Sequence, residues 1–242
     1  MSMTPAAETS NRRRWATPAF PLGVIRYQSY DEADYARFHR QYVNKDEAIA
    51  WWAVPDFTKP GIDAEGAQSQ VWTPQLDALY HRRDQGGDTF LLFLSTDELA
   101  SPLFGCPRSF AVEIRLPDAA PVIEYTLQWF DKPACRLPEA LWLTFNPRVP
   151  TPLAWTMDKL GQPVSPLDVV IDGNRHLHAV GEGVHYRDDA CALSIATLDA
   201  PLVAPGRPAL LDFDNRRPPL RRGMHFLLYD NVWGTNFRMW YG

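Results

Sequence analysis

From Val71 onward the chain is a series of short apolar runs, each closed within a few residues by proline, glycine, aspartate or asparagine. That punctuation constrains the fold more than any other feature, because it leaves room for strands and little room for helices. The runs are DTFLLFLS (88–95), SFAVEIRL (109–116), PVIEYTLQWF (121–130), ALWLTF (140–145), DVVID (168–172), HLHAV (176–180), ALSIATL (192–198), ALLDF (209–213), HFLLY (225–229) and FRMWY (237–241). Two alternate clearly. Phe110, Val112, Ile114 and Leu116 share one face of the first, and Ile123, Tyr125, Leu127 and Trp129 share one face of the second. The stretch Pro117–Pro121 joins them as a hairpin loop. VWTPQLDALYHR is ambiguous, because Pro74 interrupts it. About ten short strands separated by turn signals predict a mainly β, mostly antiparallel sandwich. The chain closes on MHFLLYDNVWGTNFRMWYG (224–242), which reads as a final hairpin.

One segment has helical spacing. Tyr35, Phe38, Tyr42, Ile49 and Trp52 recur on one face, which predicts a helical segment over 31–53. Ser29 and Asp31 are alternative N-caps, Asp46 can recap a second part, and Pro55 ends it. The expected organisation is a disordered arm over 1–17, a lead-in with the helical segment over 18–62, and a β-sandwich domain over 63–242.

Composition narrows the class. Hydrophobic residues make up 45% of the 242 positions, enough for a large core. The net charge of −5 disfavours a nucleic-acid or anionic-membrane partner. Cys106, Cys135 and Cys191 are too widely spaced for a C-x-x-C site and are expected to be reduced thiols. The opening residues lack the apolar run of a signal peptide, and no run is long enough to span a bilayer, so the expected compartment is the cytoplasm.

Several groups have chemistry to offer, each with a plain structural alternative. His176 and His178 are at strand spacing, with Glu182 and His185 near enough to complete a metal site, or they make ordinary hydrogen bonds. Glu113 and Glu124 stand on outward faces of neighbouring strands. Paired carboxylates there suit glycoside hydrolysis, whereas a solvated sheet face of mixed polar residues with Arg115, Thr126 and Gln128 explains them equally well without chemistry. Asp56 and Lys59 lie on a constrained loop that suits ligand contact or a simple capped turn. Asp230, Asn231 and Asn236 beside Trp233 have the amides and aromatic face that bind sugars, or they form a self-bonded turn. Arg216, Arg217, Arg221 and Arg222 offer an anion site or a solvated loop.

Longer stretches carry a resemblance. PLGVIRYQSYDEADYARFHRQYV, WWAVPDFTKPGI, RLPEALWLTFNP, RHLHAVGEGVHY, LSIATLDAPLVAPG and NVWGTNFRMWYG together resemble the C-terminal part of glycoside hydrolase family 38-like, α-mannosidase-like proteins. The resemblance runs from Phe20 to Gly242, and its most distinctive words are DAPLV (199–203) and NVWGTNF (231–237). It implies a supersandwich-like β region, preceded at 31–53 by the end of a helical bundle. In that family an N-terminal α/β barrel holds zinc and the nucleophile. Neither the barrel nor its motif lies in this sequence, so no family nucleophile transfers to a residue here and no cofactor is expected in this chain. The implied function is a non-catalytic, structural and substrate-rim domain. Its implied partners are a catalytic barrel, as domain or subunit, and carbohydrate. A stand-alone carbohydrate-binding module, or a small metalloenzyme built on His176 and His178, are the alternatives.

Overall fold

The computed structural model describes residues 14–41 and 57–233. It is mainly β and antiparallel throughout. In chain order the elements are β1 (Leu22–Ser29), α1 (Glu32–Gln41), β2 (Gln70–Trp72), β3 (Gln75–Asp84), β4 (Gly87–Ser95), α2 (Ala100–Phe104), β5 (Ser109–Pro117), β6 (Glu124–Phe130) and β7 (Glu139–Phe145). Then come β8 (Trp155–Lys159), β9 (Gln162–Val164), β10 (His178–Ala179), β11 (Gly183–Arg187), β12 (Ala192–Ala196), β13 (Leu202–Pro205) and β14 (Met224–Asp230). They form a six-stranded sheet in the order β10-β13-β14-β7-β1-β2 and two four-stranded sheets, β3-β4-β5-β6 and β12-β11-β8-β9.

Directly opposed residues share a face of a sheet. Ile25, Leu143 and Phe226 are opposed across β1, β7 and β14, and Tyr27 opposes Leu141. This face of the large sheet carries both smaller sheets. On the β1–β7 side it meets Phe110, Val112, Leu94 and Leu127 of the β3–β6 sheet. Tyr125 packs on Phe145 at 5.6 Å, and Trp129 on Tyr229 at 5.6 Å. On the β13–β14 side, Val203, Met224 and Phe226 join Trp155, Met157, Val184 and Tyr186 of the other small sheet. Trp142 and Leu227 belong to the opposite face, where Tyr30, Tyr35, Phe38, Leu210 and Leu211 continue the core. β7 is therefore covered on both sides, and its first six residues are all buried. A continuous apolar run is what such a strand requires.

Asp31 caps α1 reciprocally with Asp34. The Asp34 N–H donates to Asp31 Oδ1 and the Asp31 N–H to Asp34 Oδ2, both at 3.1 Å. Of the two N-caps read from the sequence, Asp31 is the one used. Tyr35 and Phe38 are buried; Tyr42, Ile49 and Trp52 lie outside the described residues. The lead-in does more than precede the β body, since β1 runs between β2 and β7 inside the large sheet.

The structure departs from the expected strands at four places. Residues 168–172 form no strand, and Val170 and Ile171 are exposed. The Arg175 guanidinium takes the carbonyls of Leu167 and Val169, and Asp172 turns the chain at φ 64°. Residues 209–213 also form no strand. Ala209, Leu210 and Leu211 are all buried in the core outside any sheet ladder. The run 176–180 contracts to the pair His178–Ala179. Finally, the run 121–130 becomes a strand only from Glu124. Residues 237–241 lie outside the described residues. Strands β8, β9, β11 and β13 were not read from the sequence, and the ambiguous stretch resolves into β2 and β3 on either side of Pro74.

His225 is buried in β14, with Nδ1 2.8 Å from Thr144 Oγ1. Burial pushes its pKa down to about 3, and the Arg26 charge adds to this. His178 is pushed down to about 4, mainly by burial. Both stay neutral in the fold while an unfolded chain binds protons below its ordinary value of 6.5. Their contribution is complete above that value and is lost as pH falls toward 4. The urea midpoint should therefore drop steadily over this window, and His225→Gln should flatten the slope. Parallel pH slopes in the two proteins would contradict it.

Candidate functional site

Four of the six residues expected to touch a ligand come together. Lys59 Nζ donates to Asn231 Oδ1 at 2.6 Å and to the Arg136 carbonyl at 3.0 Å. Asn231 Nδ2 donates to the Cys135 carbonyl at 2.8 Å, and its backbone N–H to the Glu139 carbonyl at 2.9 Å. Asp230 Oδ1 accepts from the Val232 N–H at 3.4 Å. Trp233 lies 5.3 Å from the Phe38 ring and 5.7 Å from that of Phe57. Asp56 and Asn236 lie outside the described residues. Lys59 and Asn231 are bonded directly, and the Asp230 charge acts on Lys59. Asn231 works as a three-way staple that ties the 57–61 loop and the 131–137 segment to the end of β14.

The staple stands over a buried polar group. The Glu139 carboxylate receives Lys132 at 2.8 Å and the Tyr27 hydroxyl at 2.6 Å, and burial raises its pKa against those donors. Burial likewise pushes the Lys59 ammonium down to about 8, although Glu139, Cys135 and Asp230 pull it back.

The other expected site residues do not converge. Glu113 and Glu124 sit on the solvent face of their sheet, and Glu124 is 3.7 Å from Arg115. His176 Nε2 contacts the Asp214 carboxylate at 2.7 Å, whereas His178 is buried on β10. Glu182 and His185 turn to other partners, the first through its N–H to Asp158 and the second to Ser194. Among the described residues no three His, Cys, Asp or Glu side chains group closely enough to hold a metal ion. Arg216, Arg217, Arg221 and Arg222 are exposed around the turn at Leu220–Arg222.

A polar cavity of about 230 Å³ lies at the end of α1, lined by Gln41, Asp172, Gly173, Asn174, Phe213, Asp214 and Asn215. Its walls are the ends of the two segments expected to be strands and the residues that follow them. Gln41 bridges to the second, accepting from the Phe213 N–H at 2.9 Å and donating to Asp212 at 2.9 Å. Asn215 joins the walls, donating to Asp172 at 2.9 Å and accepting from Arg175 at 2.7 Å. Asn174 Oδ1 accepts from the His176 N–H at 2.8 Å. Burial alone would raise the Asp214 carboxyl. The Arg216 N–H, His176 and Arg207 outweigh burial and hold it below the ordinary value. Asp214 is therefore an acceptor at neutral pH and unsuited to donate a proton. Fixed amides and carboxylates around an aromatic ring are the donors and acceptors that polyhydroxylated ligands use. The sequence signals that mark this cavity are the turn words Asp-Gly-Asn (172–174) and Asp-Asn (214–215).

Residues 2–124, just over half of the chain, match the family described as Domain of unknown function (DUF5054). The chain belongs to this family. The DUF5054 match takes in β1, α1 and the strands through β5, so it includes Gln41 but not the two loops of the cavity. Comparison with curated proteins and with solved structures gives no match.

Asn231→Ala should destabilise the protein by about 1 kcal/mol, because it removes the hydrogen bonds to the half-buried Lys59 and Cys135. Lys59 adds a signature in alkali. Its depressed pKa means that the folded protein releases this proton before the unfolded chain does. The contribution of Lys59 to stability thus rises with pH from about 8 toward its ordinary value of 10.5. Denaturation of wild type and Lys59→Gln across that window should show the stability difference shifting in favour of wild type. A difference that does not change with pH would show an ordinary surface lysine.

Proposed function

We propose that this chain is a non-catalytic, carbohydrate-binding β domain that serves an α-mannosidase-like glycoside hydrolase. The cavity at Asp172, Asn174, Phe213, Asp214 and Asn215 holds a sugar unit. The observation that carries this reading is the rigid polar lining around Phe213, in which Asp214 stays ionised. The volume lies below the range of about 300–1,000 Å³ typical of larger ligands, which suits a single ring rather than an extended chain. Support for the enzyme setting comes from the resemblance at DAPLV and NVWGTNF. In that setting the zinc and the nucleophile belong to a partner barrel.

One observation favours the second reading, a stand-alone carbohydrate-binding module. Tyr35 and Phe38 are already buried within this chain, at 3% and 2% exposure, so the described part of the helix does not wait for a partner surface.

Titration of the labelled protein with α-mannosides, followed by NMR, tests sugar binding. Shifts should concentrate at 172–176 and 213–215, and Asn215→Ala or Asp172→Ala should weaken binding about fivefold, the equivalent of one hydrogen bond near 1 kcal/mol. Sugars that shift no resonance in these loops would sink the proposal. The chain alone should not hydrolyse aryl α-mannosides, with or without added zinc. Turnover that disappears in Glu113→Gln or Glu124→Gln would overturn the non-catalytic assignment.

A further inference from the structure

β3 stands at the edge of its sheet. It pairs with β4, and no described strand takes its other edge. Nine of its ten residues are exposed. An open edge of this length presents a row of unpaired N–H and C=O groups, which proteins working alone blunt with charge, proline or a bulge. β3 has a bulge at Asp77 and charges toward its end, but its middle is Ala78-Leu79-Tyr80. Leu79 and Tyr80 point to opposite faces of the strand and are 55% and 60% exposed. Leu76 extends the patch on the side of Leu79, and Phe93 of β4, with its ring 6.0 Å from that of Tyr80, extends it on the other. The free edge is thus apolar on both faces.

We propose that β3 pairs antiparallel with β3 of a second copy of this chain, joining their two sheets into one. A two-fold axis perpendicular to a sheet keeps every residue on its own face. The opposed residues must then be an even number of positions apart. With Tyr80 on the axis, Leu79 faces His81 and Ala78 faces Arg82 of the other copy. Arg83 stands on the Leu79 face, where Asp118 and Asp88 hold it. The bulged Asp77 reaches Ser95 on the Tyr80 face, which brings it beside Arg82 of the other copy. The charges select this partner and this direction. Asp77 precedes the apolar centre and Arg82 follows it, so antiparallel copies put opposite charges together at both ends. A parallel copy would set Asp77 against Asp77 and arginine against arginine. The contact is isologous and closes at two copies, leaving no sticky edge to propagate. It also covers Leu79 and Tyr80 on both sides at once, which one added peptide of polar sequence would not do.

Sedimentation velocity across a dilution series tests the pairing. The wild-type chain should be a dimer that dissociates on dilution, and the amides of 75–84 should exchange more slowly in the concentrated sample. Tyr80→Lys puts like charges together on the axis and should weaken the dimer by about tenfold or more. Asp77→Arg should weaken it too, and combining Asp77→Arg with Arg82→Asp should restore it. Tyr80, Asp77 and Arg82 are all exposed, so an unchanged melting curve separates lost pairing from lost folding. A chain that stays monomeric at every concentration, a dimer indifferent to Tyr80→Lys, or a charge reversal that fails to restore pairing would each overturn the proposal.

Discussion

Burial of the six-stranded sheet on both faces is the constraint on which the other features depend. Trp142 and Leu141 are neighbours on β7, point to opposite sides, and are both fully buried. A strand in that position needs cover above and below. The two smaller sheets share one face, while α1 and the 209–213 segment complete the core on the other. β14 has neighbours on both edges as well, and Asn231 to Trp233 follow it outside any strand. Asn231 then converts the exit into a junction between two loops and the strand end.

The same burial sorts the ionisable groups. Beneath the sheet surfaces it drives groups toward neutrality: His225 and His178 are held unprotonated, and the Glu139 carboxyl is raised despite two close donors. At the cavity the balance reverses. Asp214 is less buried and has a backbone N–H, an imidazole and a guanidinium around it, so its charged form wins. A surface recess with fixed charge thus lies beside a core with little. The sheet supplies rigidity, and the loops above it supply the polar atoms.

β3 shows what happens where that cover ends. It carries Leu76, Leu79 and Tyr80, yet nearly all of its residues are exposed. The β4 residues beside it are mostly half-buried, so the core thins out across the sheet before reaching β3. A strand with unspent pairing capacity on its edge and unspent apolar surface on both faces is a natural joining point for two copies.

The class of fold and much of its interior are legible in the residues alone. The short runs bounded by turn residues specify strands at 88–95, 109–116 and 140–145 because alternation and burial are local properties of a chain. The sequence also brought out Lys59, Asp230, Asn231 and Trp233, whose residue types suited a meeting in a loop. Only the tertiary structure decided that these four would spend their hydrogen bonds and rings on the protein itself. It also decided that DVVID and ALLDF would be loops. Their apolar residues allowed a strand, but Arg175 claims the carbonyls of the first, and the second fills a space above the large sheet with successive side chains. The cavity arises from that outcome. Gln41, Asp172 and Asn215 are far apart in the chain, and nothing local to any of them encodes the long-range packing of α1 against both loops that brings them together.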